Sequence, residues 1–284
     1  MSSAKESFVI LFQCQDRPGI VAGVSELVFR LGGNIVDADQ HTTDPSQGNF
    51  FMRTEFNIDR KRWNKERLSR EFDLLAAEFR AECRIFDSRD KLRMGILVSR
   101  PDHCLLELLY LWKSGELNAT IPFVVSNYEG HRSLVESYGL PFYFIRSSKD
   151  LRLEEDILRI AVKESDFLVL ARYMLVLSPQ FLTSYNKDII NIHHGFLPSF
   201  KGADPYRQAF DEGVKVIGAT AHFVNELLDG GPIISQQVEH VTHRDDPYTL
   251  LRKGKNLEKR ALAEAVSDYT EYRVIRCGNK TVVF

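Results

Sequence analysis

Residues 191–232 read NIHHGFLPSFKGADPYRQAFDEGVKVIGATAHFVNELLDGGP. The apolar run DIINIH carries Asn191 and His193 to a break marked by Gly195 and Pro198. Strand residues two apart project from one face, so an amide and an imidazole stand side by side at the strand's carboxyl end. Farther on, Asp229 sits in LLDGGP, a turn that a following strand can hold rigid. Asn, His and Asp converging beside a cleft suit chemistry at a carbonyl. The amide can donate to a developing oxyanion, and His with Asp can move protons. Adjacent strand residues point oppositely, so His194 is expected to turn away and serve a structural part.

Upstream of this stretch, strand and helix patterns alternate from Arg93. The strand MGILVS precedes the helical stretch HCLLELLYLWKSG. IPFVVSN, PFYFI and DFLVLA read as further strands, with HRSLVESYG, LRLEEDILRIAVKE and PQFLTSYN as helices between and after them. The strands are near-continuous in apolar residues, which implies a mostly parallel sheet covered by helices on both faces. Such open Rossmann-like sheets take ligands beyond the carboxyl ends of their strands, where Asn191 and His193 fall. The turn after the first of these strands is Ser99-Arg100-Pro101-Asp102-His103. It contains no G-x-G-x-x-G, which argues against a dinucleotide site.

The first ninety residues carry a different pattern. Phe8 to Cys14 reads as a strand, broken by Asp16-Arg17-Pro18-Gly19. Asp16 is expected to cap the next helix and Pro18 to sit in its first turn. Val21, Val24, Leu27, Val28 and Leu31 recur at helical spacing, and Gly32-Gly33 stops the helix. Asn34–His41 and Asn49–Ile58 read as strands joined by a turn over 44–48, Lys65–Phe79 as an amphipathic helix, and Cys83–Phe86 as a last short strand. β-α-β-β-α-β in this length is the ferredoxin-like order. The charged stretch 87–91, DSRDK, is the expected boundary between a domain of residues 1–88 and one of residues 89–284.

Composition excludes several classes. The 284 residues carry 37 Lys and Arg against 39 Asp and Glu, a net charge of −2. That leaves no electrostatic footprint for nucleic acid. No run approaches the ~18 apolar residues of a membrane span. The start, MSSAKESFVIL, lacks the basic and apolar regions of a signal peptide. Four cysteines, at 14, 83, 104 and 277, show no C-x-x-C spacing, which fits a reducing compartment. A cytoplasmic protein is expected. A metal on His193, His194, His222 and Asp229 is not expected, since zinc needs about four convergent ligands and the strand turns His194 away. Cys104, at the start of an apolar helical stretch, reads as packing.

The 191–232 stretch resembles the formyl-handling folate enzymes: glycinamide ribonucleotide formyltransferases, methionyl-tRNA formyltransferases and formyltetrahydrofolate deformylases. Their Asn-x-His falls on Asn191-Ile192-His193, and their LLP-x-x-x-G on Phe196-Leu197-Pro198 through Gly202. Their G-x-x-x-HFV strand falls on Gly218–Val224 and their DGGP turn on Asp229–Pro232. DRPGIVAGVSELVFRLGGNIVDADQ resembles ACT domains, whose D-x-P-G-I and G-x-N-I elements fall on Asp16–Ile20 and Gly32–Ile35. The pairing of the two domains is the arrangement of the formyltetrahydrofolate deformylases. The Ser99–His103 turn has no phosphate loop of the ribonucleotide enzymes, and Gln236–Phe284 leaves room for a strand, a helix and a short tail rather than an RNA-binding domain.

The resemblance implies hydrolysis of 10-formyltetrahydrofolate to tetrahydrofolate and formate, with the folate as substrate and no separate cofactor. Asn191 would hold the oxyanion. His193 would donate a second hydrogen bond or protonate the leaving nitrogen. Asp229 would act on water directly or through His193. Met174, Leu175 and Leu177 match the pterin-side loop by order. Asn225 and Leu228 bound a segment whose backbone would face the pterin, and His222 supports the site or fixes the sheet. Asp16, Pro18, Gly19 and Asn34 would lie near an effector pocket for glycine or methionine, in a homo-oligomer, dimer or tetramer. The alternatives are a formyltransferase to a small amine, or a catalytically inert folate- and amino-acid-binding protein.

Overall fold

A computed structural model describes residues 7–44, 48–148, 153–199 and 205–284. The expected turn residues 45–47, the start of the LRLEEDILRIAVKE helix at 151–152, and Gly202 of the LLP-x-x-x-G element lie outside them. The described chain divides into two compact units, Met1–Lys91 with Glu271–Cys277 and Val282–Phe284, and Leu92–Thr270 with Gly278–Thr281.

In the first unit the order is β1 (Phe8–Gln15), α1 (Ile20–Arg30), β2 (Asn34–Thr42), β3 (Asn49–Asn57), α2 (Lys65–Phe79) and β4 (Glu82–Asp87). The sheet runs β2-β3-β1-β4 and is antiparallel throughout. This is the ferredoxin-like arrangement. Ile20, Val24, Leu27 and Val28 of α1 and Leu68, Phe72, Ala76 and Phe79 of α2 bury one stripe each. They close over Phe8, Ile10, Phe12, Met52 and Phe56 on one face of the sheet. Gly32 takes the positive φ of a helix terminus (82°), the stop its position implies. The cap at the other end of α1 differs from expectation. Gly19 is the N-cap and no side chain caps the helix. The Asp16 carboxylate instead accepts from Thr42 Oγ1 at 2.8 Å, tying the β1–α1 turn to the end of β2.

The expected second domain, 89–284, is also corrected at its far end. Glu271–Cys277 and Val282–Phe284 group with the first unit. Tyr272 stacks on Phe86 with ring centroids 3.9 Å apart, and Arg53, almost fully buried, donates to the Glu271 carbonyl at 3.3 Å. Residue patterning along the tail gives no hint of partners so distant in sequence.

The second unit runs β5 (Leu92–Val98), α3 (His103–Ser114), β6 (Ala119–Thr120), β7 (Val124–Ser126), α4 (Arg132–Ser137), β8 (Phe142–Phe144), α5 (Glu154–Glu164), β9 (Phe167–Leu170) and α6 (Pro179–Tyr185). It continues with β10 (Ile189–His193), α7 (Pro205–Asp211), β11 (Val216–Phe223), β12 (Ile233–His240) and α8 (Pro247–Thr270). Two last strands follow in the chain: β13 (Val274–Cys277), which groups with the first unit, and β14 (Lys280–Val283). The main sheet is ordered β12-β11-β10-β9-β5-β7-β8. The strands from β10 to β8 are parallel, and β11 and β12 are added antiparallel. Fully buried Leu97, Leu168 and Val125 explain the unbroken apolar runs, since both faces of these strands are covered. No helix among the described residues is long and apolar enough to cross a membrane.

Candidate active site

β10 brings the first two side chains together. Its residues are buried except Asn191, which is half-buried, and it pairs in parallel with β9 and antiparallel with β11. Asn191 and His193 share a face by the strand's period of two. In register they oppose His222 and Thr220 of β11. The loop beyond β10 is anchored from the same strand. Thr220 Oγ1 donates to Gly195 O at 2.9 Å and accepts from Leu197 N at 3.1 Å, while Gln236 Nε2 donates to Leu197 O at 3.0 Å.

The turn that carries Asp229 follows β11. Asn225 Oδ1 accepts from Leu227 N at 3.0 Å, and its Nδ2 donates to Gly230 O at 3.3 Å. Asp229 has φ 52°, a left-handed conformation that a short polar side chain tolerates. Gly231 is demanded by close approach: a side chain there would run into the Phe223 carbonyl. That contact and the Phe223 N–H donating to Pro232 O at 2.9 Å press the turn against the end of β11. Asp229 is thereby aimed back at β10.

Four side chains meet there. His193 Nδ1 lies 3.2 Å from Asp229 Oδ2, with both groups largely buried. Asp229 Oδ1 lies 3.8 Å from His222 Nε2, beyond hydrogen-bond reach. Asn191 Nδ2 lies 3.2 Å from His222 Nε2, and His222 Nδ1 lies 2.8 Å from Phe223 O. A carbonyl only accepts, so the proton of neutral His222 sits on Nδ1, and its Nε2 accepts from the Asn191 amide. His222 is thus a second support that orients Asn191. Burial lowers the His222 pKa despite the nearby carbonyl and Asp229, which keeps the ring in that neutral tautomer. Burial acts to raise the Asp229 carboxyl. The hydrogen bond from His193 and the potential of His193, His222 and His194 outweigh it and leave the group below its usual range, so it is an anion at neutral pH.

These residues line a cleft of about 380 Å³. Met174, Leu175, Leu177, Asn225 and Leu228 line it too. Met174 and Leu228 are exposed, whereas Leu177 is also part of the unit's hydrophobic core. Asn225 spends its side chain on the turn. The volume is within the range of small-molecule sites, and the mostly apolar wall with few polar groups is their usual character.

His194 was expected to turn away. It lines the same cleft, because β10 ends at His193 and strand alternation does not continue past it. Burial, helped by the charge of Arg172, pushes its pKa down to about 4. The unfolded chain therefore binds a proton between pH 6.5 and about 4 that the folded chain refuses. Stability should fall as pH drops through that window, by roughly 1 kcal/mol per unit. Thermal melts between pH 7 and 5 should show the loss, and His194→Gln should flatten it. An unaltered slope in that variant would assign the loss to other groups.

The effector candidates do not form one group within a chain. Asp16, Pro18 and Gly19 share the β1–α1 turn, at the end of the sheet where Gln15 pairs with Asn49. Asn34 starts β2 opposite Asn57, at the other end. The length of β2, roughly 25–30 Å, separates them. The reason is topological, since α1 returns the chain to the far edge before β2 begins.

Sequence reading gave no part in the site to Arg172, His103, Tyr206 or Glu258. Arg172 lines the cleft and lies 3.1 Å from Glu258, which is 1% exposed. Their positions lie far apart in sequence, and only a buried Glu in the apolar stripe of α8 could have signalled the partnership. Among the described residues, His103, Cys104 and Glu258 are a trio close enough for a metal, but the adjacent Arg172 guanidinium already neutralises the carboxylate. Cys104 is fully buried, as its packing role implies.

Comparison with known proteins returns one picture. The formyl transferase family profile matches residues 92–266 and the ACT domain profile residues 8–61. The chain is 45% identical to formyltetrahydrofolate deformylase 1, mitochondrial, of Arabidopsis thaliana, covering 97% of this chain and 88% of that one. It is 44% identical to the formyltetrahydrofolate deformylase of Bacillus subtilis, covering 97% and 93%. Among solved structures, a formyltetrahydrofolate deformylase from Pseudomonas syringae superposes with a TM-score of 0.93 at 42% identity, covering 98% of this chain and 94% of that one. Glycinamide ribonucleotide transformylase 1 from Symbiobacterium toebii matches with a TM-score of 0.64 at 28% identity, over 68% and 94%.

Proposed function

Because the chain belongs to the formyltetrahydrofolate deformylase family, we propose that it hydrolyses 10-formyltetrahydrofolate to tetrahydrofolate and formate at the Asn191–His193–Asp229 cluster. The observation that carries this reading is the 3.2 Å pairing of His193 with an ionised Asp229, on the cleft that Asn191 also lines. Asp229 Oδ2 is engaged by His193, which leaves Oδ1 to accept from a water molecule. The water oxygen bonds to the formyl carbon as its proton passes to Asp229. The Asn191 amide, oriented by His222, donates to the oxyanion of the tetrahedral adduct. The bond from carbon to N10 then breaks, with that proton delivered to N10 through the His193–Asp229 pair, and the remaining hydroxyl proton passes to solvent as formate leaves. Met174, Leu175, Leu177, Val224 and Leu228 supply the apolar slot for the pterin. The direct test is purified protein with 10-formyltetrahydrofolate, with and without small amines. Equal amounts of formate and tetrahydrofolate, independent of amine, are expected. Product that appears only with an amine would make the chain a transferase instead.

The ACT domain is the regulatory part of this proposal. Asp16, Pro18 and Gly19 stand at one end of the sheet and Asn34 at the other, along the edge strand β2. A pocket using all four requires a second copy, so an amino-acid effector and a homo-oligomer go together. Titration calorimetry of the full-length protein should show glycine or methionine binding. Asn34→Ala should weaken it without slowing formate release. Absence of binding by either amino acid would remove the effector and leave the hydrolysis untouched.

A further inference from the structure

The groups that the mechanism leaves unused gather where the strand order reverses, between β5 and β9. Open α/β sheets take ligands at such a switch point. In this chain side chains bridge it. His103, at the start of α3, places Nε2 2.8 Å from Glu258 Oε2. Arg172, just after β9, places Nε 3.1 Å from the same oxygen, and Tyr206 of α7 donates to Oε1 at 2.7 Å. The Arg172 Nε–H lies off the line to the carboxylate, so the contact is an ion pair rather than a directed hydrogen bond. Arg172 and His194 line the cleft, while His103, Tyr206 and Glu258 do not. On the switch-point side the cleft is thus lined by an arginine whose guanidinium is paired with a buried carboxylate.

Arg172 also has φ 63°. A bulky side chain takes that left-handed conformation at a cost of about 1 kcal/mol or more, and it persists only where the surroundings determine it. The fixing contacts are present. Ser99 N donates to Arg172 O at 3.2 Å, Arg172 N donates to Leu170 O at 3.0 Å, and Glu258 holds the side chain. A glycine would adopt this backbone freely. The arginine puts bulk and charge on the wall of the cleft that Asn191, His193 and Asp229 also line.

We propose that Arg172, held by Glu258, is the specificity-determining wall that admits water and excludes larger nucleophiles. The inference rests on the hydrolytic reading above. With the wall opened, an amine nitrogen would bond to the formyl carbon, the bond from that carbon to N10 would break, and the amine's proton would end on N10. The products are an N-formyl amine and tetrahydrofolate.

The test is the partition of a carbon-13 formyl group between formate and N-formylglycinamide, with glycinamide as the probe amine. Wild type should yield formate alone. Arg172→Gly should raise the formylated share about tenfold or more while formate release persists. Arg172→Lys, which keeps bulk and charge, should retain the wild-type partition. The double variant Arg172→Gly with Glu258→Gln removes both buried charges together and serves if the single variant does not fold. Wild-type formylation of glycinamide at a rate near that of formate release overturns the inference without any variant. An unchanged partition in a folded variant overturns it too, as does loss of all turnover in both glycine variants. No formate from wild type overturns the hydrolytic reading and this inference together.

Discussion

Asp229→Asn should lower formate release by roughly a thousandfold, the middle of the range for losing a general base. The substitution isolates the charge. Asparagine has the same shape, tolerates the left-handed backbone that Asp229 adopts at φ 52°, and can still accept from His193 through Oδ1. The turn held by Gly231 and Asn225 does not involve the Asp229 side chain. The fold and the pterin slot should therefore survive, and the loss should appear in kcat with KM nearly unchanged. Steady-state formate release and a thermal melt of the same preparation check both halves. Turnover within about tenfold of wild type would remove Asp229 from proton transfer.

Asn191→Ala should cost about a hundredfold or more in kcat, as loss of one oxyanion donor does. Alanine also leaves His222 Nε2 without its donor, so a second substitution separates the two effects. Asn191→Asp keeps the volume but cannot donate when ionised, and it puts negative charge where the oxyanion forms. It should be at least as slow as the alanine variant. Activity in Asn191→Asp near that of wild type would show that the position supplies shape rather than a hydrogen bond.

How much of this was legible depends on how local each signal is. Asn191 and His193 share a face because strand period is a local property, and the structure brings both to one cleft with Asp229. The LLDGGP turn was readable because Gly231 has no steric alternative. His194 was misread where β10 ends, one residue before the alternation rule was applied to it. Asp16 was read as a cap from local chemistry, but Thr42, at the end of strand β2, donates to its carboxylate instead. Asn34 belongs to the same motif as Gly19, yet α1 and the strand order carry it to the opposite end of the sheet. Glu258, Arg172, His103 and Tyr206 come from three helices and the loop after β9, and nothing in the residues near any one of them announces the other three.

The central claim is that the chain transfers a formyl group to water. Turnover of 10-formyltetrahydrofolate in oxygen-18 water, followed by mass spectrometry of the formate, tests it most directly. One labelled oxygen per formate, in step with tetrahydrofolate and without any amine, is the result expected. Tetrahydrofolate formed without labelled formate, or no reaction until an amine is supplied, would contradict it.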